Sequence, residues 1–195
     1  MKRLLLILIL TFSFQSWIKA DDISDFEIEG ISIGDSLLDF FNKSQISNFI
    51  NYDDSPTDMK FRVSEFSETN NFKITNYDIM QVYHKPKDKK FIIHGIRGGI
   101  ICDQKTICKN KQNKIIDDLK ISFSNHDDAK IEKFNHPKDT SNKSFVELWF
   151  LNLKNGYIVV RYTDWSKNMN YSDNVDVEIA TKEVEKWLRS NYGMN

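Results

Sequence analysis

The chain has 195 residues, 27 of them basic and 28 acidic, which gives a formal net charge of −1. Hydrophobic residues make up 40% and aromatic residues 13% of it, so the chain can form a packed core and is neither disordered nor collagen-like. A dedicated nucleic-acid-binding protein would be visibly basic, so we expect no nucleic-acid partner.

Residues 1–20 have the pattern of a cleavable export signal. Lys2 and Arg3 precede an apolar run from Leu4 to Leu10, and Ala20 ends the segment. A basic start, a short apolar centre and a small residue at the cleavage point are typical of a secretory signal, and the run is too short to span a bilayer. We expect cleavage after Ala20 and export to the periplasm or beyond, with an uncleaved anchor as the alternative. Residues 21–195 would then form a single domain that does not span a membrane, with 24 basic and 28 acidic residues, a net charge of −4.

The first part of the mature chain predicts one helix after a short strand-like segment, residues 25–29. Ser36 is followed three residues later by Asp39, which resembles a capping box. Apolar residues then recur on one helical face as far as residue 50. They are Leu37, Leu38, Phe40, Phe41, Ile46, Phe49 and Ile50.

Three strands are predicted next, at residues 61–66, 72–83 and 91–101. The charged tract Lys85-Pro86-Lys87-Asp88-Lys89 separates the last two, so these should form an antiparallel hairpin.

Cys102 and Cys108 are the only cysteines, and in an exported protein we expect a disulfide between them, with free thiols as the alternative. Six helical steps rise ~9 Å, whereas bridged Cα atoms lie within ~7 Å of each other. The two residues therefore cannot share one continuous helix. Cys102 must precede the helix, Asp103 is a candidate N-cap, and Cys108 should lie in the first turns.

That helix should be amphipathic, because Cys108, Ile115, Leu119 and Phe123 recur at helical spacing while lysines occupy the remaining surface. The residues after it, 124–144, are rich in Asn, Asp, Lys and His, and predict a long exposed connection.

Asn155-Gly156 lies between two alternating apolar runs, which favours a hairpin with a type I′ turn and pairs residues whose numbers sum to 311. One face of this hairpin should face the core: Trp149, Leu151, Leu153, Ile158, Val160 and Tyr162. The opposite face carries Val146, Leu148 and Phe150, and is apolar enough to need a cover, either a helix of the same chain or a partner.

The chain ends with a strand over 174–179 and a short helix that begins near Thr181. Its apolar face should carry Ala180, Val184, Trp187 and Leu188. Because local hairpins dominate, the predicted fold class is α+β. We expect an antiparallel sheet with about three helices, one of them amphipathic after the first strands and one C-terminal.

Few residues have a pattern that carries chemistry. His84 and His94 face each other across a hairpin but lack the spacing of a zinc site, so we expect ordinary strand histidines. Glycines at 95, 98 and 99 predict a bulge or bend, with an anion-binding backbone nest under Arg97 as the alternative. No cofactor, metal or nucleophile motif is found, so we expect no cofactor. If the protein is an enzyme, its site would combine scattered residues such as His94, Arg97 and Asp164.

The end of the predicted hairpin offers a candidate binding patch. Trp165 follows Asp164 at a strand end, and Arg161 and Phe150 lie on neighbouring positions. A Trp and an Arg beside a carboxylate are typical of recognition surfaces. The alternative is that Trp165 only caps the core.

Two parts of the chain resemble known proteins. The segment Asp21–Leu38 resembles the start of a family of small exported proteins of marine alphaproteobacteria, and residues 164–166, 173–175 and 181–188 resemble its C-terminal half. This resemblance covers most of the mature chain, implies export and a single domain, and implies no activity and no site residue. Gly30–Leu38 also resembles envelope lipoproteins of the outer-membrane assembly type, although no cysteine follows the predicted cleavage point.

These patterns favour a non-enzymatic periplasmic module that binds an envelope protein or a small ligand. An envelope-assembly accessory protein and an enzyme with a site not recognisable from sequence are the alternatives.

Overall fold

A computed structural model describes residues 22–52, 60–69, 71–123 and 129–192. The predicted export signal lies outside them. The strands are β1 (Glu27–Ile28), β2 (Ile31–Ser32), β3 (Ile50–Tyr52), β4 (Arg62–Phe66), β5 (Ile79–His84), β6 (Ile93–Cys102), β7 (Lys130–Asn135), β8 (Phe145–Asn152), β9 (Gly156–Asp164) and β10 (Asp173–Thr181). The helices are α1 (Lys43–Ser47), α2 (Lys105–Ser122) and α3 (Lys182–Tyr192), with short 3₁₀ turns at Ile23–Asp25, Leu37–Asp39 and Lys167–Met169.

The strands form an antiparallel sheet of eight, in the order β3-β4-β5-β6-β10-β9-β8-β7, and a separate two-stranded hairpin of β1 and β2. The predicted α+β class, with one helix after the first strands and one at the C-terminus, is confirmed. Across the described residues, no helix is both long and apolar enough to cross a membrane.

The sheet has two differently covered faces. We call the face that packs against α2 the first face; it holds most of the core, including Met80, Val82, Ile96, Trp149, Leu151, Ile158, Val160, Val177 and Ile179. Burial of each such side chain contributes about 1.5–3 kcal/mol. The opposite or second face packs against α3, through a smaller cluster that includes Phe61, Tyr83, Tyr157, Val184 and Trp187.

The helix predicted over residues 37–50 is wrong. The capping box at Ser36 and Asp39 is confirmed, but it starts only a 3₁₀ turn. Asn42 then forms a second capping box with Gln45, which starts the five-residue α1. A cap at Asn42 needs extended backbone there, so one helix cannot run through it. The last predicted helical residue, Ile50, begins β3.

The antiparallel hairpin around the charged tract at residues 85–89 is confirmed, although its first strand begins at Ile79 and not at residue 72. The pairing register shifts between Tyr83 and His84, which leaves His94 as the extra residue of a bulge. Next to it, a Cβ on Gly95 would lie 2.7 Å from the Tyr83 ring. Gly95 therefore lets this ring pack onto the strand.

The disulfide between Cys102 and Cys108 is confirmed, with a Cα–Cα distance of 5.6 Å. Cys102 ends β6 and Cys108 lies in the first turn of α2, as predicted. The predicted N-cap is wrong, because Gln104 occupies that position instead of Asp103. The strand continues through Cys102, and the chain then needs two residues to turn into the helix.

The hairpin of β8 and β9 forms with a different turn from the predicted one. Paired residues sum to 309, not 311, so the turn is centred on Lys154 and Asn155 and neither has a positive φ. Gly156 is needed for space, since a Cβ there would lie 2.2 Å from the Ala180 carbonyl oxygen.

The faces of this hairpin were predicted correctly, because a register shift of two residues keeps every side chain on its own face. All six predicted core residues belong to the core of the first face. On the second face, Leu148 and Phe150 pack against the cluster that contains α3, so a helix of the same chain provides the expected cover there.

The connection predicted over residues 124–144 is exposed as expected at Lys130–Asn135, but these residues form a strand and not a loop. Residues 124–128 lie outside the described part of the chain, and β7 follows as an edge strand with every residue exposed. A solvated edge strand has charged residues on both faces, so its composition resembles that of a loop.

Candidate functional site

The second face of the sheet carries a row of polar side chains that crosses five strands and ends at the residue after β9. We call it the polar row: Tyr52, Glu65, Gln81, Arg97, Asp176, Asn174 and Trp165. Successive residues of a strand point to opposite faces, so the same strands contribute apolar side chains to the core of the first face and polar side chains to this row. α3 covers only the end of the second face near Tyr83 and Tyr157.

The first half of the polar row follows the strand pairing. Glu65 pairs with Gln81 on the neighbouring strand, and Gln81 pairs with Arg97 on the next. The Gln81 amide donates to Glu65 at 2.9 Å, and the Arg97 guanidinium donates to Gln81 at 3.3 Å. Tyr52 on the edge strand donates its hydroxyl to Glu65 at 2.8 Å.

Asp176 joins the two halves of the row. One of its oxygens, Oδ2, accepts from the Arg97 guanidinium at 2.7 Å and from the Asn174 amide at 2.9 Å. Asn174 in turn accepts the indole N–H of Trp165 at 3.0 Å. The Asp176 side chain is only 5% exposed, so Arg97 supplies the countercharge that such burial requires.

Arg161 lies beside Asp176 on β9 but is bound much more weakly than Arg97. Its guanidinium is 3.9 Å from Asp176 Oδ2, outside hydrogen-bond distance, and its side chain is 26% exposed. Within the described residues, this guanidinium donates no hydrogen bond. Its N–H groups therefore remain available to an acceptor from outside.

An aromatic cluster borders the row at the end away from α3. The Trp165 ring centroid lies 4.2 Å from that of His136 and 4.8 Å from that of Tyr171. Burial lowers the pKa of His136, and the positive charges of Lys138 and Arg161 lower it further against the opposing effect of Asp139. His136 is therefore a neutral ring at pH 7.

Glu178 is the second buried carboxylate of this face, and it lies under α3. Tyr83 donates its hydroxyl to Oε2 at 3.2 Å, and Tyr157 donates to Oε1. Burial and the neighbouring Glu178 charge raise the pKa values of both tyrosines. Both hydroxyls therefore remain protonated donors, and Glu178 is held within the protein.

The predicted binding patch is only partly assembled. Arg161 and Trp165 lie on the second face and are linked through Asp176 and Asn174. Phe150 is on the same face but stacks on Tyr157, with ring centroids 5.6 Å apart, near α3. Asp164 is separated from them, because its carboxylate binds Lys105 of α2 at 2.6 Å on the other side of the sheet.

The scattered enzyme residues do not converge. His94 lies near Glu183 of α3, at one end of the sheet's strands. Asp164 lies at the other end, and its carboxylate binds Lys105 on the face opposite to that of Arg97. The anion nest proposed for Gly95–Gly99 is wrong, since β5 and β10 pair with this backbone on both sides.

His84 and Ser64 form a pair that sequence reasoning missed. The Ser64 hydroxyl lies 2.9 Å from His84 Nε2, but the two residues are 1% and 3% exposed. Because neither side chain is accessible from solvent, we assign the pair a structural role.

A groove on the first face has a volume of about 290 Å³. It lies between α2 and the strands β7 and β8, and is lined by Asn113, Ile116, Asp117, Lys120, Ile131, Glu147, Leu148 and Trp149. Burial acts to raise the pKa of Glu147, but hydrogen bonds from Lys109 and Lys133 bring it below its ordinary value. The negative charge of Glu147 is thus balanced by these two lysines of the same chain.

Sequence reasoning missed five site residues, namely Tyr52, Glu65, Gln81, Asp176 and Asn174. The sequence does show polar residues that alternate with apolar ones along each of these strands. Only the strand order, however, shows that the polar residues of different strands are neighbours.

Among the described residues, no group of three or more His, Cys, Asp or Glu side chains is arranged to hold a metal ion. Comparison of the chain with protein-family models, with curated proteins and with solved structures found no match.

Proposed function

We propose that the protein is an exported binding module whose ligand or partner contacts the second face of the sheet at the polar row. The observation that carries this proposal is Arg161, a partly exposed guanidinium that makes no hydrogen bond within the described part of the chain. It lies beside a row of side chains that are already positioned by one another. Preorganised polar groups bind with a smaller loss of conformational entropy than free ones.

The surroundings of the row supply the apolar contact area that recognition also needs. Ile101 on β6, Tyr171 and Phe134 are exposed by 45%, 59% and 40%. Ile101 pairs with Asn174, the Tyr171 ring lies against Trp165, and Phe134 pairs with Val146 on the second face. Aromatic side chains and arginine are the groups that contribute most to binding at protein interfaces.

A binding role is favoured over catalysis because the charged groups of the row are mostly bound to one another. Asp176 is occupied by Arg97 and Asn174, and Glu178 by two tyrosines. A catalytic site would instead need an acid, a base or a nucleophile held within reach of a substrate.

Export is part of the proposal and rests on two independent features. The first is the secretory pattern of residues 1–20. The second is the Cys102–Cys108 disulfide, because disulfides persist mainly in oxidising compartments. Mass spectrometry of the protein from the periplasm of an expressing bacterium should find Asp21 as its first residue.

Site-directed photo-cross-linking tests the binding face. We would place p-benzoyl-phenylalanine at Ile101, on the second face, and at Ile121, which is 68% exposed on α2, as the matched control. The full chain is expressed with its export signal, irradiated in cells and analysed by mass spectrometry. We expect a discrete adduct from position 101 that is absent from position 121 and is reduced by Trp165→Ala.

Equal labelling at the two positions would overturn the proposal. The identity of a specific adduct separates the two forms of a binding role: an outer-membrane or membrane-associated protein indicates an envelope-assembly accessory, and a soluble protein or small molecule indicates a ligand-binding module.

A further inference from the structure

The contacts around Arg161 indicate which kind of ligand the second face can bind. Asp176 Oδ2 already accepts from Arg97 at 2.7 Å and from Asn174 at 2.9 Å. An oxygen with two close donors has little capacity for a third. Arg161 lies 3.9 Å from this oxygen, and among the described residues its guanidinium has no acceptor at hydrogen-bond distance.

Among the described residues, the other carboxylates of the second face form no ion pair with Arg161. Glu132 of β7 is exposed and lies two strands away, roughly 10 Å. Glu178 is 4% exposed, and both its oxygens are bound by tyrosine hydroxyls under α3. Glu65 is on β4, four strands away from β9, which corresponds to roughly 19 Å. At that distance, solvent ions screen most of its effect.

On the side of Arg161 that faces away from Asp176, the nearest side chains are apolar, and Glu132 of the edge strand β7 lies beyond Leu148. Leu148 pairs directly with Arg161 on β8, and Val146 follows on the same face. Phe134 of β7 pairs with Val146 and is exposed. A ligand held by Arg161 would thus have hydrocarbon or aromatic side chains beside it.

We propose that Arg161 binds the carboxylate of a ligand that carries an apolar or aromatic group. The planar fork of a guanidinium donates two parallel hydrogen bonds to a carboxylate, and such charge-assisted bonds are about twice as strong as neutral ones. The apolar group packs against Leu148 and Phe134, and the Trp165 ring lies at the border of the site. An aliphatic or aromatic acid and the C-terminus of a peptide share this chemistry. The inference rests on the proposed function only in placing the ligand on the second face.

The test is a titration of the purified mature chain with benzoate and with its neutral counterpart benzamide, followed by NMR at the Trp165 indole N–H. We expect saturable binding of benzoate and at least about tenfold weaker binding of benzamide, because the charge-assisted bonds are lost. Arg161→Gln should weaken benzoate binding by about tenfold or more. Arg189→Gln, which removes the same charge from α3, should leave it unchanged.

Two further measurements give readouts that a general loss of stability would not produce. Bound benzoate should raise the pKa of His136, since it offsets the repulsion from Arg161 that lowers this pKa in the free protein. Asp176→Asn should strengthen benzoate binding, because the internal carboxylate that competes for the arginines is removed. Melting temperatures show that each variant is folded.

Equal affinities for benzoate and benzamide, or unchanged benzoate affinity in Arg161→Gln, would overturn the carboxylate inference. Neither result would affect the proposed function, which is decided by the cross-linking at Ile101. Specific cross-linking without any benzoate binding would leave the second face as the binding face and exclude Arg161 as a carboxylate site. If benzoate binds, the affinities of N-acetyl-phenylalanine and of a peptide with a free C-terminal phenylalanine distinguish a small acid from a chain end.

Discussion

At the scale of single residues, the buried carboxylates of the second face depend on individual hydrogen bonds. Tyr157→Phe removes the donor to Glu178 Oε1 and leaves that oxygen buried without it. We expect the free energy of unfolding to fall by about 1–3 kcal/mol, the cost of an unsatisfied buried polar group. Urea denaturation measures it, with Tyr171→Phe, at an exposed tyrosine, as the control. Equal effects of the two variants would contradict this role of Tyr157.

His84 should make the stability depend on pH near neutrality. Burial lowers its pKa, and Arg62 and His94 act in the same direction, against the Lys85 backbone and Asp88. Below about pH 6.5 the unfolded chain takes up a proton at this histidine, whereas the folded protein does so only at lower pH. The stability is therefore fully present above this pH and decreases as the pH falls.

Denaturation at several values between pH 7 and 5.5 tests the effect, in a range where the carboxylates remain ionised. In the variant His84→Gln, the free energy of unfolding should decrease less steeply as the pH falls. The lowered pKa values of His94 and His136 act with the same sign, so some of the decrease should remain. An unchanged slope in the variant would show that His84 does not contribute.

At the scale of secondary-structure elements, β7 is protected against self-association by its charges. If two copies paired through this edge about a two-fold axis perpendicular to the sheet, paired residues would have to share a face. In the registers centred on the strand, either Glu132 would oppose Glu132 or Lys133 would oppose Lys133. Like charges directly opposite each other destabilise a strand pair.

We therefore expect Glu132→Thr with Lys133→Thr to increase the molar mass measured by light scattering after size-exclusion chromatography. The matched control exchanges the two charges, as Glu132→Lys with Lys133→Glu, because like charges then still oppose each other. Its mass should equal that of the wild type. A rise in both variants would indicate that the sequence of the edge, and not charge repulsion, prevents association.

At the scale of the whole molecule, the disulfide joins the central strand β6 to α2, the helix that covers the first face. Closing so short a loop restricts the unfolded chain by about 2 kcal/mol. The double replacement Cys102→Ala with Cys108→Ala should lower the free energy of unfolding by about this amount, measured by urea denaturation. Reduced wild-type protein should show a similar loss. No loss in either sample would show that packing alone holds α2 in place.

The helix α2 has two features that the sequence predicts and one that it does not. Its apolar stripe and its start after Cys102 follow from spacing and covalent geometry, and both are present. Gln112 lies within the stripe and is fully buried, where its amide donates to the Glu147 carbonyl at 3.0 Å. A polar residue in a core position is interpretable only when its partner strand is known.

The type of most elements and the faces of the last hairpin were determined by the sequence itself. These properties depend on alternation and helical spacing within about ten residues, where local sterics and hydrophobicity decide. The same applies to the disulfide, which is governed by bond geometry over seven residues.

Only the tertiary structure decided the strand order, and with it the site. Because β10 lies between β6 and β9, Arg97 and Arg161 both approach Asp176, and only Arg97 is hydrogen-bonded to it. Contacts between distant parts of a chain depend on which surfaces bury each other most completely, and this is a property of the whole fold. The opening balance of 27 basic and 28 acidic residues therefore says little about binding, which we assign to one guanidinium and its position.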